Sequence, residues 1–136
     1  MSATATAITE TSARTAPANA ITWFELPTLD LERAARFYET VLDTKLARGF
    51  YGEDMAVFPT AAGGVSGALV CREDHRPGTR GPRLYLDCNG ILDEATDRVA
   101  AAGGTVLEPV TVIGGGYGRS STIRDTEGNQ IHLHSR

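Results

Sequence analysis

The chain has 136 residues, of which 41% are hydrophobic and 22% charged, and this composition indicates one soluble globular domain. The net charge of -4 argues against a nonspecific hold on nucleic acid or on an anionic membrane, since both require a basic surface. No apolar run approaches the roughly 20 residues of a membrane span. We therefore expect neither a nucleic acid nor a membrane as partner.

The cysteines and the first residues bear on the cellular compartment. Cys71 and Cys88 are too few for a disulfide scaffold and lack the spacing of a zinc site, so we expect buried, reduced thiols. Residues 1–20 are rich in Ala, Thr and Ser and lack the basic start and apolar stretch of a signal peptide. This segment is predicted to be a flexible tail, and the protein to be cytoplasmic.

The first half of the chain predicts a strand, a helix and three further strands. Residues 21–27 alternate between apolar and polar side chains, which is typical of a half-buried strand. Asp30 can cap a helix that runs to about Leu42. One stripe of this helix is apolar and holds Leu31, Ala34, Tyr38 and Val41. Short strands are predicted near 45–50, 54–59 and 65–71.

The second half repeats this order after a polar linker at 72–82. A strand is predicted at 83–88 and a helix at 91–102, which Gly103 and Gly104 would end. Further strands are predicted near 105–112, 119–124 and 130–134.

The two halves form an internal repeat. A shift of 61 residues places Leu31 on Leu92, Ala34 on Ala95 and Tyr38 on Val99. The repeat predicts an α+β fold of two tandem βαβββ modules, residues 21–71 and 83–135. One module leaves half of its sheet uncovered, so pairing the two predicts a curled sheet of eight strands with helices outside and a cavity inside.

Two motifs carry a resemblance to a known family. Residues 30–38 (DLERAARFY) resemble the first-helix signature of the vicinal oxygen chelate superfamily, best known for glyoxalase I and bleomycin-resistance proteins. Residues 125–129 (DTEGN) and 131–134 (IHLH) resemble the turn and strand that close its second module. The resemblance implies a small-molecule ligand and a homodimer. It leaves the chemistry open, because members include lyases, isomerases, dioxygenases, thiol transferases and drug-sequestering proteins.

The resemblance also bears on metal binding. Metal-dependent members use His or Glu at four strand positions, which here are Trp23, Gly67 or Ala68, Arg83 or Leu84, and His132. Only His132 can coordinate, whereas a catalytic site usually has about three protein ligands. No cofactor is therefore expected. A displaced divalent-metal centre formed by Glu25, His132 and His134 stays open as an alternative.

Strand alternation predicts which side chains line the cavity. The apolar set facing the helices is Phe24, Leu26, Leu84, Leu86, Ile131 and Leu133. The inner set is Trp23, Glu25, Arg83, Tyr85, Asp87, His132 and His134. Inward polar groups are costly unless they pair or meet a ligand. They therefore form either a self-satisfied polar core, in which Glu25 pairs with Arg83 or with His132, or a ligand pocket.

In the pocket interpretation each side chain has a role. Trp23 and Tyr85 offer flat surface to a planar or aliphatic ligand, and Arg83 would hold a carboxylate or similar anion. His132 is the candidate general acid or base, because its ordinary pKa lies near neutrality. Glu25 would orient His132 or act as a second base.

Two more residues complete the predicted site. His134 lies on the same strand face as His132, and Tyr117 follows the run of glycines at 114–116. These glycines lack the GxGxxG spacing and join two strands, so a flap at the cavity mouth is favoured over a phosphate loop. Tyr117 would contact a ligand from this flap.

Two classes of function remain open. The first is a lyase or isomerase that moves protons on a small organic substrate, which the histidines beside a glutamate favour. The second is a noncatalytic binder of a drug or metabolite, like the bleomycin-resistance branch, which the missing metal ligands favour.

Overall fold

The computed structural model describes residues 14–49 and 54–136. Most of the predicted tail, residues 1–13, and the end of the predicted second strand at Phe50 lie outside these ranges. None of the helices within them is long and apolar enough to cross a membrane.

The described strands form two sheets of four, one in each module. The first module contains β1 (Trp23–Pro27), α1 (Leu31–Leu42), β2 (Ala47–Arg48), β3 (Met55–Val57) and β4 (Ser66–Val70). The second contains β5 (Tyr85–Asp87), α2 (Leu92–Arg98), β6 (Thr105–Val112), β7 (Arg119–Arg124) and β8 (Gln130–Ser135). The strand orders β1-β4-β3-β2 and β5-β8-β7-β6 correspond, with β1 parallel to β4 and β5 parallel to β8. This arrangement confirms the α+β fold of two βαβββ modules.

The first helix begins where its capping residue predicts. The Asp30 side chain accepts a hydrogen bond from the Arg33 amide at 3.0 Å, which satisfies one of the free amides of the first turn. The helix ends at Leu42, and its C-terminal capping residue Asp43 adopts the left-handed conformation with φ 52°. The predicted stripe residues Ala34, Tyr38 and Val41 are buried.

The second helix is shorter than predicted. It begins at Leu92, 61 residues after Leu31, but ends at Arg98 instead of running to residue 102. Beyond Arg98 the spacing of the hydrogen bonds becomes irregular: it is three residues from the Gly103 amide to the Ala100 carbonyl at 3.1 Å, and five residues from the Gly104 amide to the Val99 carbonyl at 3.0 Å. Gly103, with φ 106°, therefore ends these irregular turns and not the helix itself.

The helix-facing sides of both sheets share one apolar core. That core includes Leu26 from β1 and Leu86 and Leu133 from the second sheet, as strand alternation predicts. Helix α1 contacts α2, and the Arg98 guanidinium donates to the Val41 carbonyl at 2.9 Å. The opposite faces of the two sheets are therefore turned away from this common core.

A buried carboxylate joins the modules at the start of α1. Glu127, in the turn between β7 and β8, accepts from the amides of Leu29 and Asp30 at 2.8 and 2.9 Å. The Arg33 guanidinium donates to the same carboxylate at 2.8 and 2.9 Å. Burial opposes ionisation of Glu127, but these donors outweigh it and lower its pKa to about 2.

The same turn reaches two further points of the first module. The Tyr38 hydroxyl donates to the Asp125 carboxylate at 2.6 Å, and both groups are buried. The Asn129 amide donates to the Pro27 carbonyl at 2.8 Å. The DTEGN motif thus serves here as a connection between modules.

The two cysteines differ in environment. Both are free, and Cys88 is buried, which raises its pKa to about 11. Cys71 is exposed, so its predicted burial is wrong. The reason is that β4 ends at Val70 and Cys71 has already left the sheet.

Glu127→Gln is expected to lower the free energy of unfolding at pH 7 by roughly 2–3 kcal/mol, because folding favours the ionised carboxylate. The folded-state pKa of about 2 lies below the ordinary value of 4.5, so the stabilisation is present above pH 4.5 and is lost toward pH 2. Denaturant unfolding at several pH values measures this, with the exposed Glu94→Gln as control. An equal loss of stability with acid in wild type and Glu127→Gln would contradict the assignment.

Candidate functional site

His132 lies on β8, between β5 and β7, on the face turned away from the core. Its neighbours in register are Tyr85 on β5 and Thr122 on β7. The side chain is buried, and its ring stacks on Tyr85 with centroids 4.5 Å apart and planes 17° from parallel. Its Nε2 atom is buried and has no hydrogen-bond partner within the described chain. A buried polar atom without a partner is costly, which makes this nitrogen a candidate contact for a ligand.

The other ring nitrogen of His132 begins a short chain of hydrogen bonds. Nδ1 lies 3.1 Å from the Thr122 hydroxyl, and that hydroxyl donates to the Glu108 carboxylate at 3.2 Å. Sequence reasoning missed Glu108, because simple alternation along β6 does not place it opposite Thr122. A register shift between Val106 and Glu108 brings it there.

The surroundings of His132 favour its neutral form. Burial lowers the pKa of the imidazole, and the positive charge of Arg83 lowers it further. The carboxylate of Glu108 acts in the opposite direction. Arg83 itself is exposed and precedes β5.

Glu25 lies on the first sheet, and its hydrogen-bond partners are not the predicted Arg83 or His132. It accepts from Trp23 Nε1 at 3.2 Å and from the guanidinium of Arg72. The hydrogen bond from Arg72 is the main cause that lowers the pKa of Glu25. The pairs of Glu25 with Arg83 and with His132 are not formed within the chain, because the two sheets present separate faces.

His134 holds the glycine-rich flap between β6 and β7. Its Nε2 lies 2.7 Å from the Tyr117 carbonyl oxygen, while the Tyr117 side chain is 71% exposed. Gly118 has φ 87°, and a Cβ there would lie 2.0 Å from the Ser135 carbonyl oxygen, so only glycine fits. The flap is thus anchored against β8 beside the His132 face.

A cavity of about 510 Å³ opens between the two modules. Its apolar lining includes Phe24, Phe58, Leu84, Leu86 and Ile91. Of the seven predicted ligand and catalytic residues, Tyr85 alone lines this cavity. Because Tyr85 also stacks on His132, it connects the cavity to the imidazole.

The side chains present do not fit the metal centre that the family implies. A Cβ at Gly67 would lie 2.4 Å from the Phe24 ring, so Gly67 faces the core and Ala68 takes the inner position. Of the four positions that the family uses for metal ligands, only the one held by His132 then carries a donor. In residues 14–49 and 54–136 no three His, Cys, Asp or Glu side chains cluster as metal ligands. Glu25, His132 and His134 are therefore not brought together.

The chain belongs to the Glyoxalase/Bleomycin resistance protein/Dioxygenase superfamily, whose family model matches residues 20–133. This agrees with the two-module fold and with the resemblance of the sequence motifs. A comparison with curated proteins finds no match.

Solved structures share the fold at low sequence identity. A glyoxalase/bleomycin resistance protein from Albidiferax ferrireducens is 21% identical with a TM-score of 0.69, covering 87% of this chain and 100% of its own. The fosfomycin resistance protein FosX from Listeria monocytogenes is 17% identical with a TM-score of 0.62, covering 87% and 93%. TioX from Micromonospora is 20% identical with a TM-score of 0.61, covering 86% and 98%.

Arg83→Gln is expected to raise the pKa of His132 and Glu108→Gln to lower it, because each change removes one charge that acts on the imidazole. Titration of the histidine resonances by NMR measures both shifts, and Arg80→Gln in the exposed linker is the control. Shifts in the same direction for both variants would contradict this electrostatic description.

Proposed function

We propose that this protein transfers protons on a small organic molecule, as a lyase or isomerase, with His132 as general acid and base. The observation that supports this is the buried Nε2 atom of His132, which lacks a partner in the part of the chain that the structure describes and belongs to an imidazole held toward its neutral form. A neutral imidazole can take a proton from a ligand and return it. This chemistry requires no metal, and the donors near His132 do not supply a metal site.

The remaining residues would bind and orient the ligand. Tyr85 is 49% exposed, so its ring can rotate away from His132 and admit a ligand at small cost in packing. Arg83 would attract an anionic group, because it is exposed beside β5 and its charge acts on His132. His134 and Tyr117 would bound the site at the flap.

We also propose a homodimer. Trp23 and Glu25 lie on the outward face of the first sheet, and Tyr85 and His132 lie on the outward face of the second. These groups do not contact within one chain, so a shared cavity requires the first module of one copy to face the second module of another. In such a dimer Glu25 would serve as the second acid or base.

Noncatalytic binding of a drug or metabolite is the second candidate function. The apolar lining of the 510 Å³ cavity favours it, because aliphatic and aromatic walls hold a hydrophobic compound without chemistry. Either function suits the cytoplasm, where the two free thiols would stay reduced.

His132→Gln separates the two functions. Ligands from a thermal-shift screen of small carbonyl compounds and aromatic drugs are tested for turnover by wild type and variant. The enzyme proposal expects about a 100-fold or greater loss of kcat in His132→Gln with ligand binding retained. His75→Gln, in the linker, and chelator-treated wild type are expected to keep full activity. Tight binding without turnover by the wild type would replace the enzyme proposal with the binding one.

Light scattering coupled to size-exclusion chromatography tests the homodimer. The expected mass is twice the 14.5 kDa of one chain. Trp23→Arg is expected to shift the population toward monomer, because it places a charge on the face proposed to meet the partner. Glu94→Ala, on the exposed side of α2, is the control. A single-chain mass for the wild type at all concentrations would refute the dimer.

A further inference from the structure

The two histidines of β8 make hydrogen bonds that require opposite tautomers. We propose that Glu108 and Thr122 are positioning residues, which keep the proton of neutral His132 on Nδ1 and leave the Nε2 lone pair for the ligand. This inference rests on the proposed function for its consequence, but its geometry stands apart from any activity.

The hydrogen bonds of the Thr122 hydroxyl determine which nitrogen of His132 carries the proton. A threonine hydroxyl has one hydrogen to donate, and a carboxylate oxygen can only accept. Because the Thr122 hydroxyl donates to Glu108 at 3.2 Å, its oxygen can only accept from His132, whose Nδ1 lies 3.1 Å away. Nδ1 must therefore carry the proton, and Nε2 is the basic nitrogen.

His134 shows the reverse arrangement two residues further along β8. Its Nε2 lies 2.7 Å from the Tyr117 carbonyl oxygen, which can only accept. Nε2 of His134 therefore carries a proton and is occupied by the flap. Of the two imidazoles, His132 offers its Nε2 atom as a base, and His134 does not.

This tautomer narrows the class of ligand. Nε2 of His132 accepts and does not donate, so the ligand must present a proton donor there, for example a hydroxyl or a C–H acidified by an adjacent carbonyl. When Nε2 takes that proton, the ligand's O–H or C–H bond breaks, its electron pair stays on the ligand, and an N–H bond forms. The new positive charge on His132 strengthens the hydrogen bonds through Thr122 to the Glu108 carboxylate.

Nitrogen-15 NMR of the imidazoles in the full-length, ligand-free protein tests the proposal. The protonated and unprotonated nitrogens of a neutral imidazole have well-separated shifts, and the chain has three histidines to assign. His132 is expected to show the Nδ1–H tautomer and His134 the Nε2–H tautomer in the same spectrum. His134 thus serves as the internal control for folding.

Variants test whether the two positioning residues cause the tautomer. Thr122→Val removes the acceptor, and Glu108→Ala frees the Thr122 hydroxyl to donate to Nδ1, so each is expected to move His132 toward the Nε2–H form. Thr122→Ser is expected to restore the Nδ1–H form, and Glu94→Ala is expected to change neither histidine. In all of them His134 is expected to keep its signals.

The outcomes separate this proposal from the proposed function. An Nε2–H tautomer of His132 in the wild type, or an unchanged Nδ1–H tautomer in Thr122→Val with His134 intact, would overturn the positioning roles. The expected tautomers together with no turnover of any tested compound would support the positioning roles and count against the enzyme. Loss of turnover in His132→Gln but not in Thr122→Val would support the enzyme and count against the positioning roles.

Discussion

The carboxylate of Glu127 is the contact on which the arrangement of the two modules depends. It is buried, and it is stabilised by two backbone amides at the start of α1 and by the Arg33 guanidinium. A buried charge is tolerated only when donors replace the water that it loses, and this carboxylate has five, the fifth being the Thr126 hydroxyl of its own turn at 2.7 Å. Because the other four donors come from the first module and the carboxylate from the second, the same bonds that satisfy the charge also fix α1 against the β7–β8 turn.

This contact also determines where the candidate site residues lie. With α1 held against the second module, the helix-facing sides of both sheets close over one core, and the opposite faces of the sheets are turned away from it. His132 and Glu25 consequently lie on different surfaces of one chain. The first module presents two of the seven candidate groups and the second module presents five, of which Tyr85 alone lines the cavity between the modules.

The sequence predicts those features that depend on local pattern. The cap at Asp30, the phase shared by the helices that begin at Leu31 and Leu92, and the apolar faces of β1, β5 and β8 follow from periodicities of 3.6 and 2 residues. These periods also place His132 on the polar face. They say nothing about how the two modules pack, and so the predicted partnership of Glu25 with His132 is absent from the chain.

Two other features were beyond local pattern for different reasons. Glu108 lies opposite Thr122 because of a register shift, which gives β6 one residue more than its partner strand at that point. No side-chain pattern in β6 predicts this extra residue. The early end of α2 depends on backbone hydrogen bonds whose spacing becomes irregular after Arg98, although the side chains up to Ala102 continue a helical stripe. Side-chain identity constrains the backbone weakly in both places, so tertiary packing determines the geometry.

The charges around His132 suit the proton transfer that we propose for it. Burial and Arg83 favour the neutral imidazole, which is the form that can accept a proton. The negative charge of Glu108 acts in the opposite direction, which would limit the cost of a charged imidazole. If His132 served the fold alone, a partner for Nε2 would add stability, because an unsatisfied buried nitrogen costs about 1–3 kcal/mol. The absence of such a partner among residues 14–49 and 54–136, beside a satisfied Nδ1, therefore supports the proposed contact with a ligand.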